Sequence, residues 1–386
     1  MNNDIFLKNF GLSLDEINSM KTRAGEHALS DRARFSRLNT TRRTADAGKQ
    51  ISTDVAACRR ILSMAGFYIR IDMMRKLASE KQARSENWEE LLERVLLDPV
   101  SFRDPTVWLL FHAAMQAERD FALDACPAHS REDVLTGRFI ESIRGTCAAW
   151  ADASRSYLNR TDNLLELSSI DLTVDGGEQV TGADFALILD IRENAPMPPL
   201  RPELIAVGGA PRGPIFVPLL FQAKCYTGAS ADISRKHTMR GYQFNRLRQT
   251  GCASNYIFYE NGKDRIDYPA LPMVKPSSLC APVEVSPKTA VFEKSANFST
   301  YLLKAINGFD EIPSAQTRED ALNMILANIS PDSVTRIAIL GNTEGLDAIY
   351  NEALTQLRSE INSEIAPEPN DEEPPSDDEP SNDFGM

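Results

Sequence analysis

Up to about residue 125 the apolar positions recur at helical spacing and few segments alternate, so the sequence predicts helices there. The clearest one begins at Asp104-Pro105, a capping residue followed by a proline at the first helical position. It carries Trp108, Leu109, Phe111, Met115 and Phe121. After about residue 127 the pattern changes. A helix over Ser130–Tyr157 precedes strand-like stretches near Ser168–Val174, Asp184–Ile191, Ile215–Lys224 and Asn255–Tyr259. A turn at Asp175-Gly176-Gly177 separates the first two, and a proline-rich insert, Asn194–Pro214, separates the second from the third. His237–Arg248 reads as a helix ended by Gly251. A loop-rich stretch then leads to helices near Asn297–Ile306 and Glu319–Ala327 and a strand at Thr335–Leu340. Last comes a helix at Gly345–Ile361, with Leu346, Ile349, Tyr350, Ala353, Leu354, Leu357 and Ile361 in one stripe. The expected class is α/β, a mixed central sheet flanked by helices. A helical N-terminal region covers 1–126, a domain with C-terminal helical elaboration covers 127–363, and a disordered acidic tail covers 364–386.

Charge sharpens this division. The 386 residues carry a formal net charge of -13, but the tail holds nine acids, five prolines and no basic residue. Without those nine acids the balance is 42 basic against 46 acidic residues, a net of -4. The total therefore does not exclude a nucleic-acid partner. The tail suits a solubilising role that limits nonspecific DNA binding, and also a docking role through Asp383-Phe384. Five arginines and no acid lie between Arg32 and Arg43, a cluster that suits phosphate contact or a solvated face.

No apolar run approaches the roughly 18 residues of a membrane span. The start, Met1-Asn2-Asn3-Asp4, lacks the pattern of a signal peptide, so the expected location is cytoplasmic with no membrane partner. Six cysteines without a C-x-x-C pair, and only four histidines, predict free thiols rather than a zinc site.

The chemistry concentrates between Glu132 and Tyr259. Thr181-Gly182-Ala183-Asp184 opens a strand with an aspartate after a glycine turn. Period-two alternation puts Asp184 with Ala186 and Ile188 on one face, and Phe185, Leu187 and Leu189 on the other. The next strand closes on Gln222-Ala223-Lys224, with Gln222 and Lys224 on one face and Phe221 and Ala223 on the opposite one. Polar groups ending an apolar strand cost desolvation energy unless they meet partners.

A helix with a glutamate, a Gly-x-Asp opening one strand and a Gln-x-Lys closing the next resemble the PD-(D/E)xK, or restriction-endonuclease-like, nuclease superfamily. The resemblance covers roughly Glu132–Tyr259. Glutamine replaces the usual acid, a form found in modification-dependent restriction enzymes and phage-defence nucleases. The helix and strand that follow, Tyr242-Gln243 through Tyr259, are similar to that branch. Two glutamates are candidates for the helix. Glu132 aligns with Leu135, Phe139 and Ile143, the stripe that faces the sheet; Glu141 lies about 180° away and suits a solvated position beside Arg138 or Arg144. Glu132-Asp133-Val134-Leu135-Thr136-Gly137 also resembles the superfamily's helix motif better.

The resemblance implies a restriction-endonuclease-like core and a magnesium-dependent (or manganese-dependent) endonuclease hydrolysing DNA, cytoplasmic and prokaryotic, as a restriction-type or anti-phage effector. It assigns the catalytic set to Glu132, Asp184, Gln222, Lys224 and Gln243. It assigns the metal ligands to Asp184, Gln222, the carbonyl of Ala223 and Glu132. From Lys224 to Arg248 there are six basic residues against one acid, which makes Arg235, Lys236, Arg240 and Arg246 candidates for nucleic-acid contact. His237 is tempting as a base but more typical of a surface position. The helical flanks suit self-association or a protein partner such as an ATPase or sensor. A catalytically inactive nucleic-acid-binding or assembly subunit and an RNA-directed nuclease are the alternatives.

Overall fold

The computed structural model describes residues 11–26 and 95–341, apart from positions 103, 162, 175, 193–214, 267–268, 307–311, 328 and 330. These residues fall in the first of two units, Met1–Asn342; the second, Thr343–Met386, lies outside them. The arginine cluster at 32–43, the insert at 194–214, the Gly345–Ile361 stripe, the acidic tail, Cys58 and Asp175 are also outside the described residues.

Helix α1 spans Leu14–Ala24 and α2 spans Pro105–Asp120. Asp104 caps α2 as its sequence demands: Oδ1 accepts the Thr106 backbone N–H at 2.8 Å, and Pro105 stands where no N–H is needed. The helix is apolar around most of its surface and is buried accordingly. Helix α3, Glu132–Ala153, buries Leu135, Phe139, Ile143, Cys147 and Trp150. It is shorter than predicted, because Ser154 leaves the helical region (φ -113°, ψ 12°) before the separate turn α4, Arg155–Leu158.

Strand β1, Leu164–Asp171, starts four residues before its expected position. It is buried on both faces, so there is little alternation to read. It ends because the Asp171 carboxylate accepts the N–H and hydroxyl of Thr173 at 2.9 and 2.6 Å and turns the chain. The short helix α5, Gly177–Thr181, leads to β2, Phe185–Arg192; then come β3, Ile215–Tyr226, and β4, Ser230–Asp232. The helix predicted over His237–Arg248 is only half helical. Its first part is a ribbon of β5, Lys236–His237, and β6, Gly241–Tyr242; only α6, Gln243–Arg248, is helical. Gly241 takes φ +72°, in the left-handed region that breaks a helix. After β7, Ala253–Glu260, the stretch read as loop-rich contains three short strands: β8, Met273–Pro276, β9, Lys288–Ala290, and β10, Ala296–Asn297. Helices α7, Phe298–Ile306, and α8, Arg318–Ile325, precede β11, Val334–Gly341.

The main sheet is seven-stranded and mixed, in the order β10-β8-β7-β3-β2-β1-β11. The β3–β7 pair is parallel and the remaining pairs are antiparallel. Pro218 sits inside β3 without breaking the ladder. Its register partner on β2 is Ile188, and pairing to β7 begins only at Leu219, so the missing N–H faces a gap between ladders.

Both sheet faces are covered. Phe185, Leu187, Leu189, Phe221 and Ala223 pack in one core with residues of α1, α2, α3 and α7. Ala186, Ile188 and Leu220 pack in another with residues of α6 and α8. The alternation read from the sequence for β2 and β3 is therefore borne out. Phe139 of α3 joins the layers. Its ring meets Phe121 at 5.0 Å, Tyr259 of β7 at 5.9 Å and Phe298 of α7 at 4.9 Å. Phe139→Ala is expected to cost about 3–5 kcal/mol of stability in urea unfolding, the range for truncating a fully buried aromatic; a loss below about 1 kcal/mol would show that this junction is not what joins the helices to the sheet.

Candidate active site

Strand β3 outruns its neighbour. The β2–β3 ladder ends at Phe185–Phe221, closed by the Asp184 N–H donating to the Phe221 carbonyl at 2.9 Å. Beyond it, Ala223 and Cys225 turn backbone groups toward the side that β2 has vacated. Buried backbone donors need partners, and two carboxylates supply them. Asp184 Oδ2 accepts the Ala223 N–H at 2.7 Å, and Glu132 Oε2 accepts the Cys225 N–H at 3.0 Å.

Two features bring Glu132 there. It occupies the first position of α3, where the helix N-terminus favours a carboxylate. The chain entering α3 is also tied to the end of β7: Asn261 Nδ2 donates to the Cys126 and Ala128 carbonyls, each at 2.8 Å, and its Oδ1 accepts the Ser130 N–H at 3.1 Å. The other carboxylate oxygen of Glu132 accepts from Lys224 Nζ at 3.2 Å, an ion pair whose lysine is almost fully buried. Glu141, by contrast, is exposed and pairs with Arg144 at 3.6 Å.

Gln222 is fully buried. Its Nε2 donates to Asp184 Oδ2 at 2.6 Å and to the Ala223 carbonyl at 3.1 Å, so the amide orientation is dictated by two acceptors. Oε1 is left buried without a hydrogen-bond partner. Gln243 repeats this arrangement. Its Nε2 donates to Glu178 Oε1 at 2.6 Å, and its own Oε1 is buried and unpartnered. Glu178 is the site residue that sequence reasoning missed. The available signal was an acid four positions before Gly182, between two glycines, Gly176 and Gly182, at φ +75° and +74°. Gly182 is required twice over: besides its φ, an added Cβ would lie 2.5 Å from the Gln243 carbonyl oxygen. That close approach seats α6, and with it Gln243, against the turn that carries Asp184.

Burial pushes the Asp184 carboxyl up to about 7; Lys224 and the Ala223 N–H pull against this, while Glu132 and Glu178 add to it. The Cys225 thiol is pushed up by burial to about 12, with Glu132 adding to the shift and Lys224 opposing it. The five described cysteines are all free.

The basic candidates divide. Arg235, Lys236 and Arg240 are exposed on and beside the β5–β6 ribbon, and Arg235 Nη1 lies 3.5 Å from Glu178 Oε1. Arg246 turns inward: its Nη1 donates to the Arg240 and Gly241 carbonyls at 3.1 and 3.0 Å and braces the ribbon. His237 is exposed, and its Nδ1 accepts the Met239 N–H at 3.3 Å.

Among the described residues no three or more His, Cys, Asp or Glu side chains gather into a metal-holding group. The oxygen donors around Asp184 are its own carboxylate and the Ala223 carbonyl, which strand geometry turns the same way as its N–H; Gln222 presents its Nε2 to both, so its Oε1 would join them only with the amide turned over. Hard oxygen donors in this number fit a cation that keeps several waters, as magnesium does. Among the described residues no helix is long and apolar enough to cross a membrane. No protein-family model matches the chain, and no curated protein and no solved structure matches it at a significant level.

Two expectations follow. Gly182→Ala should cost about 2 kcal/mol or more, from left-handed backbone strain and the contact with Gln243, whereas Gly137→Ala, in open space on α3, should not destabilise; thermal unfolding of both variants checks this. The raised Asp184 pKa sets a sign for metal-free protein. The folded state holds this proton more tightly than the unfolded chain, so stability from this group is full below about pH 4 and falls as pH rises to about 7. Asp184→Asn should flatten that part of the urea-midpoint profile, measured in chelator. A profile unchanged by the substitution would contradict the assignment.

Proposed function

We propose that this chain is a metal-dependent endonuclease of the PD-(D/E)xK superfamily, with a restriction-endonuclease-like core, hydrolysing DNA phosphodiester bonds. One observation carries the reading: Glu132 and Asp184, distant in sequence from each other and from the run Gln222-Ala223-Lys224, meet that run at the overhanging end of β3. The element order supports it. A helix with its glutamate, a strand opened by Gly-x-Asp, a strand closed by Gln-x-Lys, a helix with Gln243 and a final strand parallel to the third follow in turn.

Asp184 and the Ala223 carbonyl would hold magnesium or manganese, joined by the Gln222 oxygen once its amide turns over to replace the NH2 that faces them, with Glu132 contributing directly or through water. When bound, such a cation neutralises phosphate charge and acidifies a bound water. The desolvated Asp184 carboxylate stands to gain from a cation, because burial disfavours its charge otherwise. Lys224 is buried, so its ammonium acts at low local dielectric, and Glu132 fixes its direction. It would orient the attacking water or stabilise the charge that grows on the phosphate. Gln243 and Glu178 would position the helix and turn around Asp184.

A role in anti-phage or restriction-type defence, a cytoplasmic setting and an ATPase or sensor partner belong to the same proposal and rest on the resemblance. The rival, a nucleic-acid-binding or assembly subunit without catalysis, draws on the uncharged Gln222. Plasmid digestion by the full chain separates them, with and without magnesium or manganese and with RNA supplied beside DNA. The wild type is expected to cut DNA only with metal. Asp184→Ala and Lys224→Ala, checked for folding by circular dichroism, should each lose about 10²-fold or more in rate. Equal behaviour of all three proteins would overturn the reading, and cutting confined to RNA would overturn its substrate.

A further inference from the structure

Residues 235–248 carry five basic residues and no acid. Their first half is the ribbon of β5 and β6, a short two-stranded element that is marginal unless braced. Here it is braced throughout. The Gln243 N–H donates to the Arg235 carbonyl at 3.0 Å and closes the base. Arg246 holds the Arg240 and Gly241 carbonyls from below, and the Lys236 ammonium lies 5.4 Å from the centre of the Tyr242 ring. At the tip, the Met239 N–H is tied back to His237.

This bracing presents an apolar side chain to solvent. Met239 is 91% exposed, and the next most exposed large apolar side chain among the described residues, Val285, is 78% exposed. Single exposed apolar residues are ordinary, but this one stands at the apex of a fixed cationic ribbon. The charges around it are crowded. Burial holds the Arg246 guanidinium below its ordinary range, and the nearby Arg240 and Arg235 add to this while Glu178 opposes it. Such crowding costs the free protein and is relieved by a polyanion. The ribbon is also joined to the site, through Arg235 to Glu178 and through α6 to Gly182.

We propose that the β5–β6 ribbon grips duplex DNA beside the active site, with Arg235, Lys236 and Arg240 on phosphates and Met239 inserted as a wedge between two base pairs. The proposal rests on the nuclease reading for its substrate and adds a deformation to it. Apolar side chains inserted at a base step unstack it and kink the duplex, and a flexible or damaged step yields most easily. The wedge would select where the strand meets Asp184 by deformability rather than by base contacts. Placing the thioether between bases also accounts for its lack of a packing partner in the free protein.

The test uses the full chain carrying Asp184→Asn, so that DNA is bound without being cut, and duplexes holding 2-aminopurine at a central pyrimidine–purine step. Binding should raise the fluorescence of the unstacked base about threefold or more. Met239→Ala in the same background should abolish most of that rise while affinity by anisotropy changes less than about tenfold, and Met239→Leu should keep it. Lys236→Ala with Arg240→Ala should weaken binding and reduce its salt dependence without abolishing the rise at saturating protein. Binding with no rise, or a rise that Met239→Ala leaves intact, overturns the wedge and leaves the nuclease reading standing. Unstacking of RNA duplexes alone overturns the proposed partner. Failure of the wild type to cut any DNA with metal overturns the nuclease reading instead. A Met239-dependent rise in that case still supports the wedge as a binding device.

Discussion

A strand that extends past its neighbour inside a protein leaves backbone donors with no ladder to join, and that is the condition at the end of β3. Ala223 is fully buried and Cys225 partly so, and their N–H groups take acceptors from elsewhere in the chain. Asp184 and Glu132 are those acceptors. Asp184 does this structural service with Oδ2, whereas Glu132 does it with Oε2 and gives Oε1 to Lys224. The arrangement explains how acidic groups are retained where burial alone would exclude them. It also explains why Lys224, otherwise a costly buried charge, is tolerated: Glu132 supplies the counter-charge.

The remainder of the site follows from that edge. Gly182 allows α6 to approach the turn before Asp184, and this approach delivers Gln243 to Glu178. The two glutamine amides are each oriented by a carboxylate that takes their N–H, so each leaves an oxygen without a partner. Buried unpaired oxygens are uncommon in folded proteins and mark places where a ligand, ion or water completes the structure. The one on Gln222 belongs to an amide bonded to Asp184, whose carboxyl burial pushes up to about 7, and that pairing gives the nuclease reading its physical content.

Beyond the site, the described helices before residue 126, α1 and α2, pack in one core with α3 and one face of the sheet. Lengthened or broken elements have local causes. Pro218 is accommodated because the parallel ladder starts one residue later, and the helix expected from His237 becomes a ribbon because Gly241 takes a left-handed conformation. Neither cause is visible to a reading of apolar periodicity, which senses burial but not backbone sign or ladder position.

Local chemistry and periodicity were sufficient for much of this molecule. Asp104-Pro105 starts a helix in any context, α3 has one apolar stripe, and alternation alone assigned the faces of β2 and β3. Glu132 could be preferred over Glu141 from helix geometry because the two lie on opposite sides of one rigid element. What tertiary structure alone decided is which polar groups meet. Glu178 joined the cluster, Arg246 turned inward as a brace, and three short strands appeared in a stretch that reads as loop. Those outcomes depend on strand overhang, on a glycine's contact across 61 positions of sequence and on unpaired backbone groups seeking acceptors. Such requirements exist only once separate elements are packed together, so no single stretch of sequence records them.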